Sequence, residues 1–145
     1  MKEIITRIEI KSNPEKVWKV LTDFHLYKYW NPFIIGIAGS PIRGEKIEIE
    51  LRTTAQKTRA YRPVVTKVDP PRELRWIGKA ILPLILDGEH IFTIQVNEQH
   101  DTIFTQKEIF KGLGAYLGTA RMFDDIRISF QMMNSSLKLR AENNE

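Results

Sequence analysis

There is no cysteine anywhere in the 145 residues. Disulfide frameworks, thiolate metal sites and cysteine nucleophiles are thereby excluded, which fits a reducing compartment. Histidine is scarce. His25, His90 and His100 are the only three, and none stand at i, i+4 spacing or inside an HExxH pattern. No metal and no cofactor are expected on that basis. Gly112, Gly114 and Gly118 follow a strand but miss the GxGxxG spacing of a phosphate cradle, and they read as a loop. No nucleophile elbow occurs. Long apolar runs are missing too: the nearest, AILPLIL, is short and broken by Pro83, so no transmembrane segment is expected. The N-terminus, MKEIITRIEI, alternates from Ile4 onward and reads as a strand rather than a basic-then-apolar leader. These absences together predict a cytoplasmic protein.

Charge of one sign is also in short supply. The chain carries 22 basic and 18 acidic residues, a net charge of only +4, with both signs interspersed. That balance gives weak support for an anionic partner, and no nucleic-acid partner is expected. The densest basic stretch, RTTAQKTRAYR, holds Arg52, Lys57, Arg59 and Arg62. Aromatics do not interleave there as a stacking platform needs. It reads as a solvated hairpin rim or, as an alternative, as a patch for an acidic protein, RNA or membrane surface.

What is present suits one globular domain over residues 1–145: 42% hydrophobic and 28% charged residues can build a core of useful size. Ile4 to Ile10 is a strand with Ile4, Thr6, Ile8 and Ile10 on one face. SNPEKVWKVLTDF is a helix, capped by Ser12 or Asn13, with Pro14 in its first turn. A second short helix, about Phe24 to Tyr29, ends before Asn31-Pro32. Strands follow: Phe33 to Ala38, Lys46 to Arg52, Arg59 to Val68 with Pro63 as an interruption, Glu73 to Gly78, about Gly88 to Asn97, and Thr102 to Phe110. Met122, Phe123, Ile126, Phe130, Met133 and Leu137 recur at three- and four-residue steps and mark a long C-terminal helix. Arg121 and Asp125 are spaced to pair on it, and its AENNE tail is expected to fray. The order predicts an α+β domain: an antiparallel sheet of about six to seven strands, two short helices after strand one, and one long terminal helix over the apolar face.

The stretch DGEHIFTIQV poses the functional question. His90, Phe92, Ile94 and Val96 share one parity, so a histidine points where the interior should be. Gln106 and Glu108 share the inward parity of the neighbouring strand. A histidine and a carboxylate side by side can form an ion pair or a general acid/base pair, whereas burying them unpaired costs several kcal/mol. Trp30, Phe33, Trp76, Phe92, Phe104, Phe110, Met122, Phe130 and Met133 are the large interior candidates. They serve equally as plain core or as the apolar wall of a pocket.

Across nearly the whole chain the sequence also resembles the START-like, polyketide cyclase/dehydrase superfamily (SRPBCC). The likeness rests on N-P-E-K-V-W at 13 to 18, W-N-P-F at 30 to 33, Y-R-P-V-V at 61 to 65, and D-P-P-R-E-L-R-W-I-G at 69 to 78. D-G-E-H-I-F at 87 to 92, F-T-Q-K-E-I-F-K-G at 104 to 112 and M-N-S-S-L-K-L-R-A-E at 133 to 142 complete it. The resemblance implies a helix-grip fold, in which a curved sheet grips the terminal helix around a cavity. Relatives bind lipids, sterols, polyketides or hormones, and some are cyclases or hydrolases. It also puts the His90 and Glu108 strands at the cavity, and by position Leu82-Pro83-Leu84-Ile85-Leu86 would be a lip of its mouth. It brings no shared catalytic set onto His90 or Glu108.

Three readings follow. The first is a binding or carrier protein for a small, mostly apolar molecule, with His90 and Glu108 orienting its polar end. The second is a cyclase-, dehydrase- or hydrolase-like enzyme in which His90 acts as acid or base and Glu108 holds its tautomer. The third is an interaction module using the basic rim. Exposed sheet edges leave both a monomer and a homodimer open.

Overall fold

The computed structural model describes residues 2–53, 58–79, 87–111 and 118–143. Strand β1 (Lys2–Ile10) leads into α1 (Pro14–Thr22), a single 3-10 turn (Phe24–Leu26) and α2 (Tyr27–Trp30). Strands β2 (Ile34–Ala38), β3 (Glu48–Arg52), β4 (Thr58–Tyr61), β5 (Val64–Asp69), β6 (Glu73–Lys79), β7 (Asp87–Val96) and β8 (Thr102–Lys111) follow, then α3 (Ala120–Glu142). Among the two helix caps of the expected start, Asn13 is the one used: its Oδ1 accepts from the Lys16 amide at 2.8 Å. Thr119 does the same for α3, accepting from Met122 at 3.1 Å. The AILPLIL segment and Lys57 lie outside the described residues.

All strand pairs are antiparallel, in a five-stranded sheet ordered β1-β8-β7-β6-β5 and a three-stranded sheet ordered β2-β3-β4. The break lies where the sequence has Pro63, which offers no amide hydrogen to a ladder. What reads as one strand from Arg59 to Val68 is therefore two. The hairpin nonetheless keeps one register through the break. Ile49 pairs with Tyr61 and Lys46 bridges to Val64, and the partner numbers add to the same total in both pairs. Backbone bonds from Ile47 to Pro63 and from Val65 to Glu45, each 2.9 Å, hold the two sheets together across it.

Helix α3 lies against β1, α1 and β8, and its stripe of Phe123, Phe130, Met133 and Leu137 is buried. Two expectations fail at its surface. The ion pair in the first turns is Arg127 with Asp124 at 3.5 Å, one turn off from Arg121 with Asp125. The helix also does not fray at Ala141: that residue is fully buried, and Glu142 accepts from the Lys11 amide at 2.8 Å and from Lys138 Nζ at 2.6 Å. Val96 departs from its strand's inward parity too. It ends β7 at the hairpin and is 51% exposed, beyond the cover of the helices.

Candidate functional site

Register assembles the interior row by row. Val65, Trp76, His90, Glu108 and Ile4 are successive cross-strand partners on β5, β6, β7, β8 and β1. The adjacent row on the same face is Leu74, Phe92, Gln106 and Thr6. His90 is thus inside because its strand parity puts it there, and the row beside it supplies its partners. The imidazole stacks on Phe92 with centroids 4.5 Å apart, and lies 5.1 Å from the Phe130 ring and 5.3 Å from Trp76. It is 3% exposed.

Both ring nitrogens are engaged. Nε2 is 2.9 Å from Gln106 Oε1, and Nδ1 is 2.9 Å from Glu108 Oε2. The second is an ion-pair contact off the line of an aligned hydrogen bond, since among the described residues Oε2 has no hydrogen bond of good geometry. Beyond Gln106 the chain continues. Its Nε2 donates to Asn134 Oδ1 at 2.8 Å, and Asn134 Nδ2 donates to Thr6 Oγ1 at 2.8 Å. The Thr6 hydroxyl donates to the Gln106 carbonyl at 3.3 Å.

The direction of this chain follows from which groups can only accept. The Gln106 carbonyl takes the Thr6 proton, so the Thr6 oxygen accepts from the Asn134 NH2 group. Asn134 then turns its carbonyl to Gln106, and Gln106 turns its own carbonyl to His90. A second acceptor, the Phe130 carbonyl 3.4 Å from Gln106 Nε2, imposes the same orientation. His90 Nε2 must therefore carry a hydrogen. Nδ1 then faces Glu108 Oε2 as the ring's second polar contact.

A cleft of about 1180 Å³ opens nearby, between the 3-10 turn and the place where the sheet divides. Its apolar wall includes Phe24, Ile37, Ile49, Val64 and Ile77, with Lys28, Glu48, Glu50 and Arg62 among the polar residues. None of the twelve residues singled out from sequence lines it. The link to the buried chain is Trp76, whose indole N–H donates to the Tyr61 hydroxyl at 3.3 Å, and Tyr61 does line the cleft. Burial pushes the Tyr61 phenol up, the Glu108 carboxylate adds to the rise, and the Trp76 hydrogen bond opposes it. Tyr61 still keeps part of its surface open.

The other sequence-derived residues divide. Phe33 packs on Phe130 at 5.4 Å, Phe92 on Phe104 at 5.9 Å, and Phe110 on Phe123 at 5.4 Å, all as filled core. Met133 is fully buried and Met122 half-buried at the core's edge. Trp30 stands apart from His90, lining a separate cleft of about 540 Å³ with Lys16, Lys19 and Arg140. Sequence reasoning missed Asn134 and Tyr61. Asn134 lies one helical turn after Phe130, on the inward stripe, where its polarity was the available signal. Thr6 stands on the inward face by strand parity, but parity does not disclose its part in the chain.

Among the described residues of the basic rim, Arg52, Arg59 and Arg62 do not form one patch. Leu51 pairs with Arg59 and Arg52 with Thr58, so Arg52 and Arg59 emerge on opposite faces of the hairpin. Arg62 is committed to Glu48 at 2.8 Å. Among the described residues no group of three or more His, Asp or Glu could hold a metal, and no helix is long and apolar enough to cross a membrane.

Comparison with solved structures gives matches over essentially the full chain. A START superfamily protein from Mycobacterium smegmatis is 13% identical, with 97% of each chain covered and a TM-score of 0.76. A crystal structure from Mesorhizobium loti is 15% identical, with 99% of each chain covered and a TM-score of 0.77. The Aha1 dimer from Colwellia psychrerythraea is 24% identical, covering 100% of this chain and 99% of that one, at a TM-score of 0.72. At these identities the likeness establishes the helix-grip fold and no more. No functionally curated protein matches the sequence. The family described as polyketide cyclase / dehydrase and lipid transport matches residues 1–132, and to that START-like family the chain belongs.

Proposed function

We propose that the protein binds a small, mostly apolar molecule in the cleft between the 3-10 turn and the divided sheet. The observation that carries this is the cleft itself: about 1180 Å³, walled by Phe24, Ile37, Ile49, Val64 and Ile77, with Tyr61 as a polar group. Ligand sites of this kind are concave, chiefly apolar and supplied with few polar groups. The lipid-transport part of the family description agrees with such cargo. Catalysis by His90 is less well supported. The two side chains are within reach of each other, but Gln106 already takes the Nε2 hydrogen and aromatic rings cover the imidazole faces. A histidine so enclosed holds a proton without presenting it to a substrate.

Native mass spectrometry of the purified protein, followed by denaturing extraction, is the test. An adduct lost on denaturation and reduced by Ile77→Trp, which fills the cleft from its rim, supports the reading. An adduct that Ile77→Trp leaves unchanged places the ligand elsewhere and removes it.

A further inference from the structure

Strand β1 is the outer strand of the five-stranded sheet, with β8 on one side and, among the described residues, no strand on the other. It pairs with β8 from Lys2 to Ile10 without a bulge, and it contains no proline. Alternation divides its backbone as well as its side chains. In an antiparallel ladder every second residue turns its N–H and C=O toward one neighbour, and the residues between turn theirs the other way. The odd-numbered residues of β1 face the open side. The Glu9 carbonyl accepts there from Lys138 Nζ at 2.9 Å, and the Lys11 amide, just past the strand, donates to Glu142 Oε2 at 2.8 Å. Helix α3 thus covers the end of this edge with one lysine and one glutamate. Among the described residues nothing bonds to the edge groups of Glu3, Ile5 and Arg7.

The same three residues carry their side chains on the outer face and are exposed, Ile5 at 48%. Neither Glu3 nor Arg7 has an ion-pair partner among the described residues. A regular edge with an exposed apolar residue at its middle is a template for another strand. Its sequence fits a second copy of itself. In a two-fold antiparallel pairing centred on Ile5, that residue meets the partner's Ile5, Glu3 meets the partner's Arg7, and Arg7 meets the partner's Glu3. All are odd-numbered, so each meeting exchanges N–H and C=O. Opposite charges directly across a ladder stabilise it, and like charges oppose it. A shift of two residues one way sets Glu3 against Glu9, whose carbonyl Lys138 already holds. A shift the other way sets Glu3 against Ile5 and carries the residue opposite Arg7 beyond the start of the strand. In the centred register the cover at Glu9 and Lys11 lies past the paired segment at both ends.

We infer that the open edge of β1 docks a second copy of this chain through Glu3, Ile5 and Arg7, so that one five-stranded sheet continues into the other. This is independent of the ligand-binding cleft, which β1 does not line. Sedimentation equilibrium of the full chain at up to about 1 mM is expected to show a mass rising with concentration from 16.9 kDa toward twice that. Glu3→Arg sets like charges at both outer pairs, and so does Arg7→Glu. Each alone is expected to weaken association about tenfold or more. Mixed in equal amounts, the two variants regain opposite charges at both pairs, and the dimer returns. A chain carrying both reversals keeps the wild-type net charge and dimerises as the wild type does. Both side chains are exposed, so circular dichroism of each variant is expected to match the wild type.

A wild type that stays at 16.9 kDa throughout would overturn the inference and leave the edge to a strand of another protein or to solvent. A dimer that neither single reversal weakens would overturn it as well, by putting the contact on another surface. Variants that dissociate singly and do not recombine would refute the pairing of Glu3 with Arg7. Recovery in both the mixture and the double reversal supports it, since a misfolded variant allows neither. One reading needs no variant at all. The Glu3, Ile5 and Arg7 amides should exchange more slowly as the wild-type concentration rises, and exchange that ignores concentration would sink the proposal.

Discussion

Strands β7, β8 and β1 carry the polar side chains His90, Gln106 and Thr6 inward, and each finds a partner there or on α3. The region around β2 and β5 is built otherwise. Among the described residues, Trp30 Nε1 and Asn31 Nδ2, just before β2, are buried without a hydrogen bond, and so is Thr66 Oγ1 where β5 leaves register with β6. One half of the sheet is closed by a long helix and bonded throughout its polar chain except at Glu108 Oε2, which has only the His90 contact among the described residues. The other packs on a 3-10 turn and a four-residue helix and borders the larger cleft. Stability and room for a ligand have been assigned to different halves. That division is the usual one between well-protected core elements and the parts of a fold that yield locally.

The comparison is broken most directly at its closed side. His90→Ala would leave Glu108 and the Gln106 carbonyl without their partner inside a packed aromatic cluster. The expected loss is about 3 kcal/mol or more of unfolding free energy in urea titration, the scale for breaking a buried charged pair from one side. A loss below about 1 kcal/mol would mean that the chain is not a stabilising unit. Next in size is Gly78→Ala, at the join between the halves. Its methyl group would press on Pro63 and Tyr61, so a loss of about 1–3 kcal/mol is expected, with hydrogen exchange quickening in β4 and β5 before β7 and β8. Exchange that quickens evenly would erase the distinction between the halves.

A third measurement sharpens the comparison without disturbing the fold. The His90 Nε2 hydrogen should appear in nitrogen-15 spectra as slowly exchanging, and Gln106→Leu should abolish that protection. A fast-exchanging or absent signal in the wild type would reverse the orientation of the chain. The smallest effect belongs to the helix end. Lys138 beside Glu142, with the Lys11 amide, holds that carboxyl below its ordinary range. A depressed carboxyl contributes stability above its unfolded value and loses it as pH falls through the folded one. Glu142→Gln should therefore cost a little at neutral pH and nothing in strong acid. An equal cost at both would point to packing rather than charge.

Much of the closed half was legible in the sequence. Period-two alternation in Asp87–Val96 and Thr102–Lys111 set His90, Gln106 and Glu108 on one face, and register brought them together. The helix stripe was equally plain. Asn134 was not, because one polar residue on an apolar helical face says nothing about which strand it will meet. The open half was harder still. Pro63 signalled an interruption, but only long-range bonds show that the two sheets remain tied across it. Tyr61 acquires its place from Trp76 and Gly78, residues 15 and 17 positions away, and no local pattern encodes that.

The constant register of the β3–β4 hairpin limits how this chain can change length. Two residues on each strand separate the Ile49–Tyr61 pair from the Lys46–Val64 bridge. One residue inserted on a single strand would turn every side chain beyond it to the opposite face, and Val65 would leave its place beside Trp76. Insertions and deletions around Pro63 are therefore tolerated only as matched pairs, one on each strand. An alignment or a grafting experiment that treats this interruption as an ordinary variable loop will misplace the interior residues on one side of it.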